Sequence, residues 1–419
     1  MRILFLTQII PYPPNAGPRV KTWHVLRYLV ERGHEVSLVS FVRSDEEEYV
    51  PVLRQHCAAV YTVPIHRSRV TDAAYWLRSH FSGRPFLIER DDLTAMRRLV
   101  RHLLATETFD VIHADQLTMT QFALEAKGNG ERQQRVKRPF IIFDAHNATW
   151  TIWERMRENA PWFLKPVYQL EEARIKRYEG MLIDRFDHTT VVIEPDREAL
   201  LQGLANGTAA GLLPRISTIP IAVDTRVLQP IQRQPDSTNI VTLGSLNYPP
   251  NADGIRWFMR EIFPLIRQQA PQATLTVIGK NPPPDFVQMA EQNPGVITVT
   301  GYVDDLTPYM EAAALMVVPV RAGSGMRVRL LEAFARAMPA VTTTVGLEGI
   351  DAEDGREILL ADDAAAFAET TVRLLRDQAK QQCLANNGRA LAEARYDWRV
   401  VLKQIDAVYA LAGEGLNYG

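Results

Sequence analysis

The stretch from Gly323 to Val341 reads GSGMRVRLLEAFARAMPAV. Two glycines, Gly323 and Gly325, lead into a helix-spaced apolar run in which Leu330, Leu331 and Phe334 form one face and Pro339 marks the end. The spacing puts Arg327 and Arg329 in the first helical turn. A helix N-terminus carries about +0.5 charge, so a cation there typically loses roughly 0.3–1 kcal/mol. A bound anion reverses that sign. Backbone N–H groups exposed by the glycines, together with two guanidinium groups, would cradle a diphosphate. Glu332 sits one turn beyond Val328 and two turns beyond Ser324 on the same face. A carboxylate there can accept two hydrogen bonds from a vicinal diol, as acidic residues do with ribose. The simpler alternative pairs Arg329 with Glu332 at i,i+3, worth about 0.2–0.5 kcal/mol, and leaves Arg327 in water. It does not explain why glycines, arginines and an embedded Glu coincide after an apolar run.

Other polar residues cluster where apolar runs end. FIIFDAHNATW finishes in Asp144, His146 and Asn147. Asp144 can orient the imidazole while His146 hydrogen-bonds a substrate hydroxyl; equally, the Asp–His pair can close a turn. DVIHADQ supplies His113 and Asp115, with His113 one position earlier and readily a buried hydrogen-bonding residue. QIIPYPPNAGPRVKTW places Gly17 before a helix, with Arg19 and Lys21 in its first turn. A glycine there allows a ligand close to the helix N-terminus; the alternative is a loop with solvated basic residues. No G-x-G-x-x-G follows this run, which weakens a dinucleotide reading. In NIVTLGSLNYPPNADG, Gly244 and Ser245 end a strand and Asn251 is a candidate helix cap. The acidic doublets Asp304–Asp305 and Asp362–Asp363 do not follow apolar strands as a D-x-D motif and read as loop and capping residues.

The elements that must position these residues are short Val/Ile-rich runs alternating with helical patterns. The first half holds RILFLT, EVSLVSF, AVYTVPI, DVIHA, FIIFDA, HTTVVIE and ISTIPI; the second holds NIVTLG, ATLTVIG, VITVTG, LMVVPV, AVTTT and REILLA. Continuous apolar strands between helices predict parallel sheets covered on both faces. The expected fold is α/β, with two doubly wound Rossmann-like domains facing across a cleft. The expected boundaries are residues 1–225, a linker at 226–239, a second domain at 240–395, and a C-terminal helix at 396–419 returning to the first domain. KGNGERQQRVKR reads as a solvated loop. The stretch from Trp150 to Leu182 carries Trp153, Trp162, Phe163 and Tyr168 among arginines. It fits a membrane-surface helix for a lipid-linked acceptor, but interleaved glutamates favour a helical insert packed on its own domain.

Composition bounds the rest. A chain of 419 residues exceeds one hydrophobic core. A net charge of −2 argues against a general nucleic-acid binder. Cys57 and Cys383 lie too far apart in sequence to suggest a disulfide framework or a metal site. No stretch reaches the roughly 18–20 apolar residues of a membrane span. RILFLTQII runs into PYPPNAG without a cleavage-site pattern, so the expectation is a cytoplasmic chain with at most peripheral membrane contact.

The segments PYPPNAGPR, DVIHADQL, FDAHN, LGSLNYPPN, VTGYVDDLTPYMEAA, VVPVRAGSGMRVRLLEAFA, TTVGLEGI and RYDW together resemble the retaining family 4 glycosyltransferases of GT-B fold. The similarity is strongest to bacterial exopolysaccharide-associated sugar transferases. It covers nearly the whole chain. It implies a nucleoside-diphosphate-sugar donor held mainly by the second domain through Gly244, Ser245, Gly323, Ser324, Gly325, Met326, Val328 and Glu332. It implies a saccharide or lipid-linked acceptor held mainly by the first, with Gly17, Arg19 and Asn147 near it. His146 matches the histidine near the transferred sugar, and Glu332 the second acid of E-x7-E, which holds the ribose. The resemblance also implies retention at the anomeric carbon, with no metal and no separate cofactor. Two features depart from the pattern. Ser324 replaces the first acid of E-x7-E, and GSLNYPPN lacks the Arg and Lys that grip the diphosphate in many relatives. Arg327 and Arg329 are expected to take over that grip. The loss at Ser324 keeps open an inactive nucleotide-sugar-binding protein, and the two-domain shape keeps open a nucleotide-sugar epimerase of similar fold.

Overall fold

The computed structural model describes residues 1–126, 138–204, 215–246, 248–323 and 325–414. The polar segment at 127–137, and Ser324, lie outside the described residues. The chain forms two compact units. The first comprises Met1–Pro220 and the chain from Leu402 onward; the second is Ile221–Val401.

Each of the expected apolar runs contains a strand. The first unit holds β1 (Arg2–Thr7), β2 (Glu35–Val42), β3 (Ala59–Pro64), β4 (Val111–Asp115), β5 (Phe140–Asp144), β6 (His188–Val191) and β7 (Ile216–Thr218). They pair in parallel in the order β3-β2-β1-β4-β5-β6-β7. The second unit holds β8 (Asn239–Leu243), β9 (Thr274–Ile278), β10 (Ile297–Gly301), β11 (Leu315–Val318), β12 (Ala340–Thr342) and β13 (Leu359–Leu360), in the parallel order β10-β9-β8-β11-β12-β13. Every residue of β4, β5 and β11 is buried, as strands covered by helices on both faces require. Leu4, Val39, Ile112, Ile141 and Phe143 build the first core, and Ile240, Leu275, Val277, Val317 and Val341 the second.

The strand order reverses between β1 and β4 in the first sheet and between β8 and β11 in the second. A crossover helix leaves to opposite sides at such a point, which opens a crevice beyond the carboxyl ends of those strands.

Several local expectations need adjustment. Residues 221–225 belong to the second unit. The segment at 226–239 is bound to that unit rather than free, through Ile231 N–H to the Arg336 carbonyl and Gln234 N–H to the Glu311 carbonyl. Arg327 is the N-cap of the helix Val328–Ala335, in extended backbone, so only Arg329 lies inside the first turn. Asn251 is not a cap. The helix Pro249–Trp257 already contains it, and its amide donates to the Ser245 carbonyl. The acidic doublets do act as loop and capping groups: Asp363 accepts the Ala366 N–H, and Asp305 the Thr307 N–H.

The helices Thr149–Asn159 and Lys165–Arg185 pack on the first unit, where Trp150, Ile175, Leu182 and Ile183 are buried. Their connection leaves Trp162 (82%) and Phe163 (60%) exposed. No helix among the described residues is long and apolar enough to cross a membrane. The C-terminal helix Lys403–Glu414 packs into the first unit, where Asp406 accepts the Tyr28 hydroxyl at 2.9 Å and Tyr409 is buried.

One glycine fixes the approach of a helix to the second crevice. A Cβ on Gly254 would stand 2.1 Å from the Pro319 carbonyl oxygen, at the exit of β11. The clash is with backbone, which cannot rotate away as a side chain can. It outweighs the roughly 1 kcal/mol of helix propensity that alanine would add. Gly254→Ala is expected to lower stability by about 1–3 kcal/mol, read as a drop in the melting temperature of the second unit.

Candidate functional site

The first unit gathers a buried polar network at the ends of β1, β4, β5 and β6. Asp115, the last residue of β4, is fully buried. Its Oδ2 accepts hydroxyl hydrogens from Thr7 at 2.8 Å and Thr22 at 3.0 Å, and its Oδ1 lies 2.8 Å from His146 Nε2. A carboxylate only accepts, so the imidazole carries its proton on Nε2. Nδ1 makes no protein hydrogen bond among the described residues. The partner expected for His146 was Asp144; the structure assigns Asp115, because Asp144 turns to other groups.

Asp144 ends β5 and meets the Lys21 ammonium, both side chains being almost fully buried. Its Oδ1 also accepts the Thr190 hydroxyl at 2.7 Å, and its Oδ2 the His113 Nε2 at 3.3 Å. With Nε2 donating, His113 Nδ1 accepts the Tyr409 hydroxyl at 2.9 Å, and the ring stacks on Phe5 with centroids 4.5 Å apart. His113 is therefore the interior hydrogen-bonding residue that its strand position suggested. Burial alone would raise the Asp144 carboxyl. The Lys21 ammonium overrides burial, with His113 adding, and holds it far below the usual carboxylate range. His113, Asp115 and Asp144 offer ligand atoms within 4.8 Å of one another, the one such group among the described residues. The Lys21 ammonium already bonds Asp144, and Asp115 is taken by Thr7, Thr22 and His146, so the donors present do not fit a cation there.

Gly17 opens the helix Gly17–Glu31 beside this network. Arg19 is committed to Glu46 by an ion pair. Asn147 accepts the Thr149 hydroxyl at 3.3 Å. The reading of Lys21 as a solvated residue gives way to a buried counter-ion. No local pattern distinguishes it from Arg19; only the cross-chain arrival of Asp144 does.

In the second unit, Gly244 and Ser245 follow β8. Gly244 N–H bonds the Ile278 carbonyl, and a Cβ there would press on Asn251 Nδ2 at 3.1 Å. After β11, Gly323 and Gly325 take φ of +119° and +84°. Left-handed backbone at both positions is what glycine allows cheaply. The turn brings Arg327 Nη1 to the Gly325 carbonyl at 2.9 Å and starts the next helix. Met326 and Val328 are buried, and Met326 Sδ takes the Ile221 N–H at 3.2 Å. Arg329 Nη1 donates to Glu332 Oε2 at 2.6 Å, the i,i+3 pair anticipated as the alternative. Glu332 Oε1 makes no protein hydrogen bond among the described residues. The pair thus holds one carboxylate oxygen and leaves the other to accept.

Two family models match the chain: "Glycosyl transferase 4-like domain" over residues 16–207 and "Glycosyl transferases group 1" over residues 237–377. The chain belongs to the family 4 glycosyltransferases of GT-B fold. An uncharacterised 44.6 kDa protein of the Klebsiella pneumoniae cps region is 21% identical, covering 96% of this chain and 98% of that protein. A phosphatidyl-myo-inositol mannosyltransferase of Mycobacterium leprae is 32% identical over 142 residues, covering 32% of this chain and 37% of that protein. The Anabaena protein HepE, solved with UDP-glucose, shares the fold of this glycosyltransferase with a TM-score of 0.68 at 16% identity. It covers 98% of this chain and is itself covered to 99%.

The Lys21–Asp144 pair makes a sharp stability prediction. A depressed carboxyl contributes stability that is complete above its unfolded pKa of about 3.9 and is lost as pH falls. Lys21→Met leaves a buried charge without its partner and is expected to cost about 3–5 kcal/mol at pH 7, measured by urea unfolding. The cost shrinks near pH 4, where the carboxyl can take a proton. Lys21→Met with Asp144→Asn recovers much of the loss at pH 7.

Proposed function

We propose that this glycosyltransferase moves a sugar from a nucleoside-diphosphate-sugar to a hydroxyl acceptor, with retention at the anomeric carbon and without a metal, in polysaccharide or glycolipid synthesis. The observation that carries the reading is the turn after β11. Its two left-handed glycines set Arg327 as the cap of a helix that starts at the strand-order reversal, with Glu332 Oε1 open one turn along. Breaking the bond from the anomeric carbon to the phosphate oxygen places growing negative charge on the diphosphate. Fixed donors at that point stabilise the transition state more than the ground state. Arg327, Arg329 and the amides around Gly325 supply that charge without a metal. Glu332 takes the ribose diol, and Arg329 orients it. Gly244 and Ser245 border the donor; Gly17, Arg19 and Asn147 lie on the acceptor side.

His146 presents Nδ1 as a hydrogen-bond acceptor for a sugar hydroxyl, and Asp115 is its positioning residue. The mannosyltransferase relative acts on a phosphatidylinositol lipid by its name. Together with the exposed Trp162 and Phe163, this favours a lipid-linked acceptor and a peripheral membrane contact.

The reaction is tested with a panel of UDP-, GDP- and ADP-sugars, first by thermal stabilisation and then by turnover. The transferase leaves the donor nearly intact without acceptor and gives a product of the donor's anomeric configuration by NMR. Conversion of the donor sugar alone would mark an epimerase, and binding without turnover an inactive binder. Arg327→Ala is expected to weaken nucleoside-diphosphate binding at least about tenfold, and a change within about twofold, roughly 0.4 kcal/mol, removes Arg327 from the diphosphate site. Asp115→Asn should fold, because Thr7 and Thr22 can turn their hydroxyls to the Ile9 and Pro18 carbonyls and accept the new amide. It is expected to lower kcat about tenfold while the donor KM moves less than about threefold, checked by steady-state kinetics.

A further inference from the structure

We propose that the second unit carries a separate binding cavity for an anionic saccharide, at the opposite end of its sheet from the glycine turn. A cavity of about 1010 Å³ lies between the segment at 230–238 and the helix Gln378–Leu391. Ser237 and Thr238 precede β8, Gln272 precedes β9, and Ala337 precedes β12, so the cavity opens at the amino ends of the strands. Gly244 and Gly323–Arg327 follow β8 and β11 at the carboxyl ends. The two places are distinct.

The lining has the chemistry of hydroxyl and anion recognition. Arg233 is the central cation. Its Nη1 bonds two neutral oxygens, the Ala314 carbonyl at 2.9 Å and Gln381 Oε1 at 2.7 Å. Its Nε and Nη2 make no protein hydrogen bond among the described residues. Burial pushes its pKa down with no carboxylate offsetting it. A guanidinium does not lose its proton in a protein, so the charge stays in the cavity wall with no carboxylate bonded to it. Arg376 adds a second guanidinium at the rim, likewise held only by a neutral oxygen, the Gln269 carbonyl at 2.6 Å. The acids in the wall cancel these only in part. Glu393 is paired with Arg389 Nε at 2.7 Å, while Asp236, bonded by the neutral Gln378 Nε2 at 2.7 Å, keeps its charge, so Arg233 and Arg376 leave one positive charge in excess. Arg389 spends its remaining nitrogens on backbone carbonyls, including those of Leu228 and Thr225. It shapes the wall and offers nothing to a ligand.

In the same lining, the side chains of Gln232, Gln234 and Gln272 make no protein hydrogen bond among the described residues. Carboxamides both donate and accept, which suits the alternating demands of sugar hydroxyls. Guanidinium groups suit a carboxylate or phosphate on the same sugar. Ser237 and Thr238 hydroxyls are instead spent on the Ala312 and Gln272 carbonyls and only line the floor.

The test is calorimetric titration of the whole protein saturated with UDP, so that a donor site is blocked. The probes are tetragalacturonate, glucose 1-phosphate and the neutral maltotetraose. Binding of either anionic probe with Kd of about 1 mM or tighter is expected, with maltotetraose at least about tenfold weaker; the stronger anionic probe distinguishes carboxylate from phosphate. Arg233→Gln should weaken the bound probe at least about tenfold. Because Arg233 also ties the segment to Ala314, Arg376→Ala is the second variant, expected to weaken binding about threefold or more with an unchanged melting temperature. The proposal is overturned if neither anionic probe binds at about 10 mM, if maltotetraose binds equally well, if UDP displaces the probe, or if both variants bind like the parent. None of these readouts depends on glycosyl transfer, so the proposal can fail while the proposed reaction stands.

Discussion

A parallel sheet whose strand order reverses cannot be covered completely at its carboxyl edge. The helices that follow the two central strands leave in opposite directions, and a gap remains between their starts. In this glycosyltransferase the gap occurs twice, beyond β1 and β4 and beyond β8 and β11. Gly17 and Asp115 come from the first pair of strands, Gly244 and the turn Gly323–Arg327 from the second. His146 follows the neighbouring β5. The side chains that can do chemistry lie where packing leaves room for a ligand, and the continuous apolar strands behind them hold that edge rigid.

The two edges differ in how their charge is balanced. In the first unit two of the charges meet their opposites at short range, Lys21 with Asp144 and Arg19 with Glu46, while the buried Asp115 is held by the Thr7 and Thr22 hydroxyls and the His146 N–H. What remains open is a neutral imidazole nitrogen, which fits an alcohol. In the second unit the turn after β11 brings the guanidinium groups of Arg327 and Arg329 to a helix start, with Glu332 beside Arg329. Such a surface fits a phosphate chain and a diol. The division of labour proposed for donor and acceptor rests on this difference between the units.

The strands were legible because a buried parallel strand needs a short run of β-branched and other apolar residues, and all of these runs had one. The glycine turn was legible because two glycines before an amphipathic helix have few structural uses. What the sequence hid were partners brought together across long chain separations. Lys21 and Asp144 are a hundred-odd residues apart, and nothing near Lys21 marks it as buried. Asp115, not the nearby Asp144, meets His146, because the Asp144 carboxylate is drawn to Lys21 and Thr190. The i,i+3 bond from Arg329 to Glu332 follows from local spacing alone; its open Oε1 required coordinates to see. The segment at 226–239 looked like a linker because it is polar and aperiodic, yet its backbone bonds tie it to the second unit.

The first unit is not contiguous in sequence: the chain leaves it after Pro220 and comes back at Leu402. Tyr28 and His113 wait for Asp406 and Tyr409, which the ribosome adds after the whole of the second unit. The second unit has all of its residues by Val401, while the first still lacks a helix at that moment. The order of synthesis and the order of completion are therefore inverted, and the unit translated first is the one finished last.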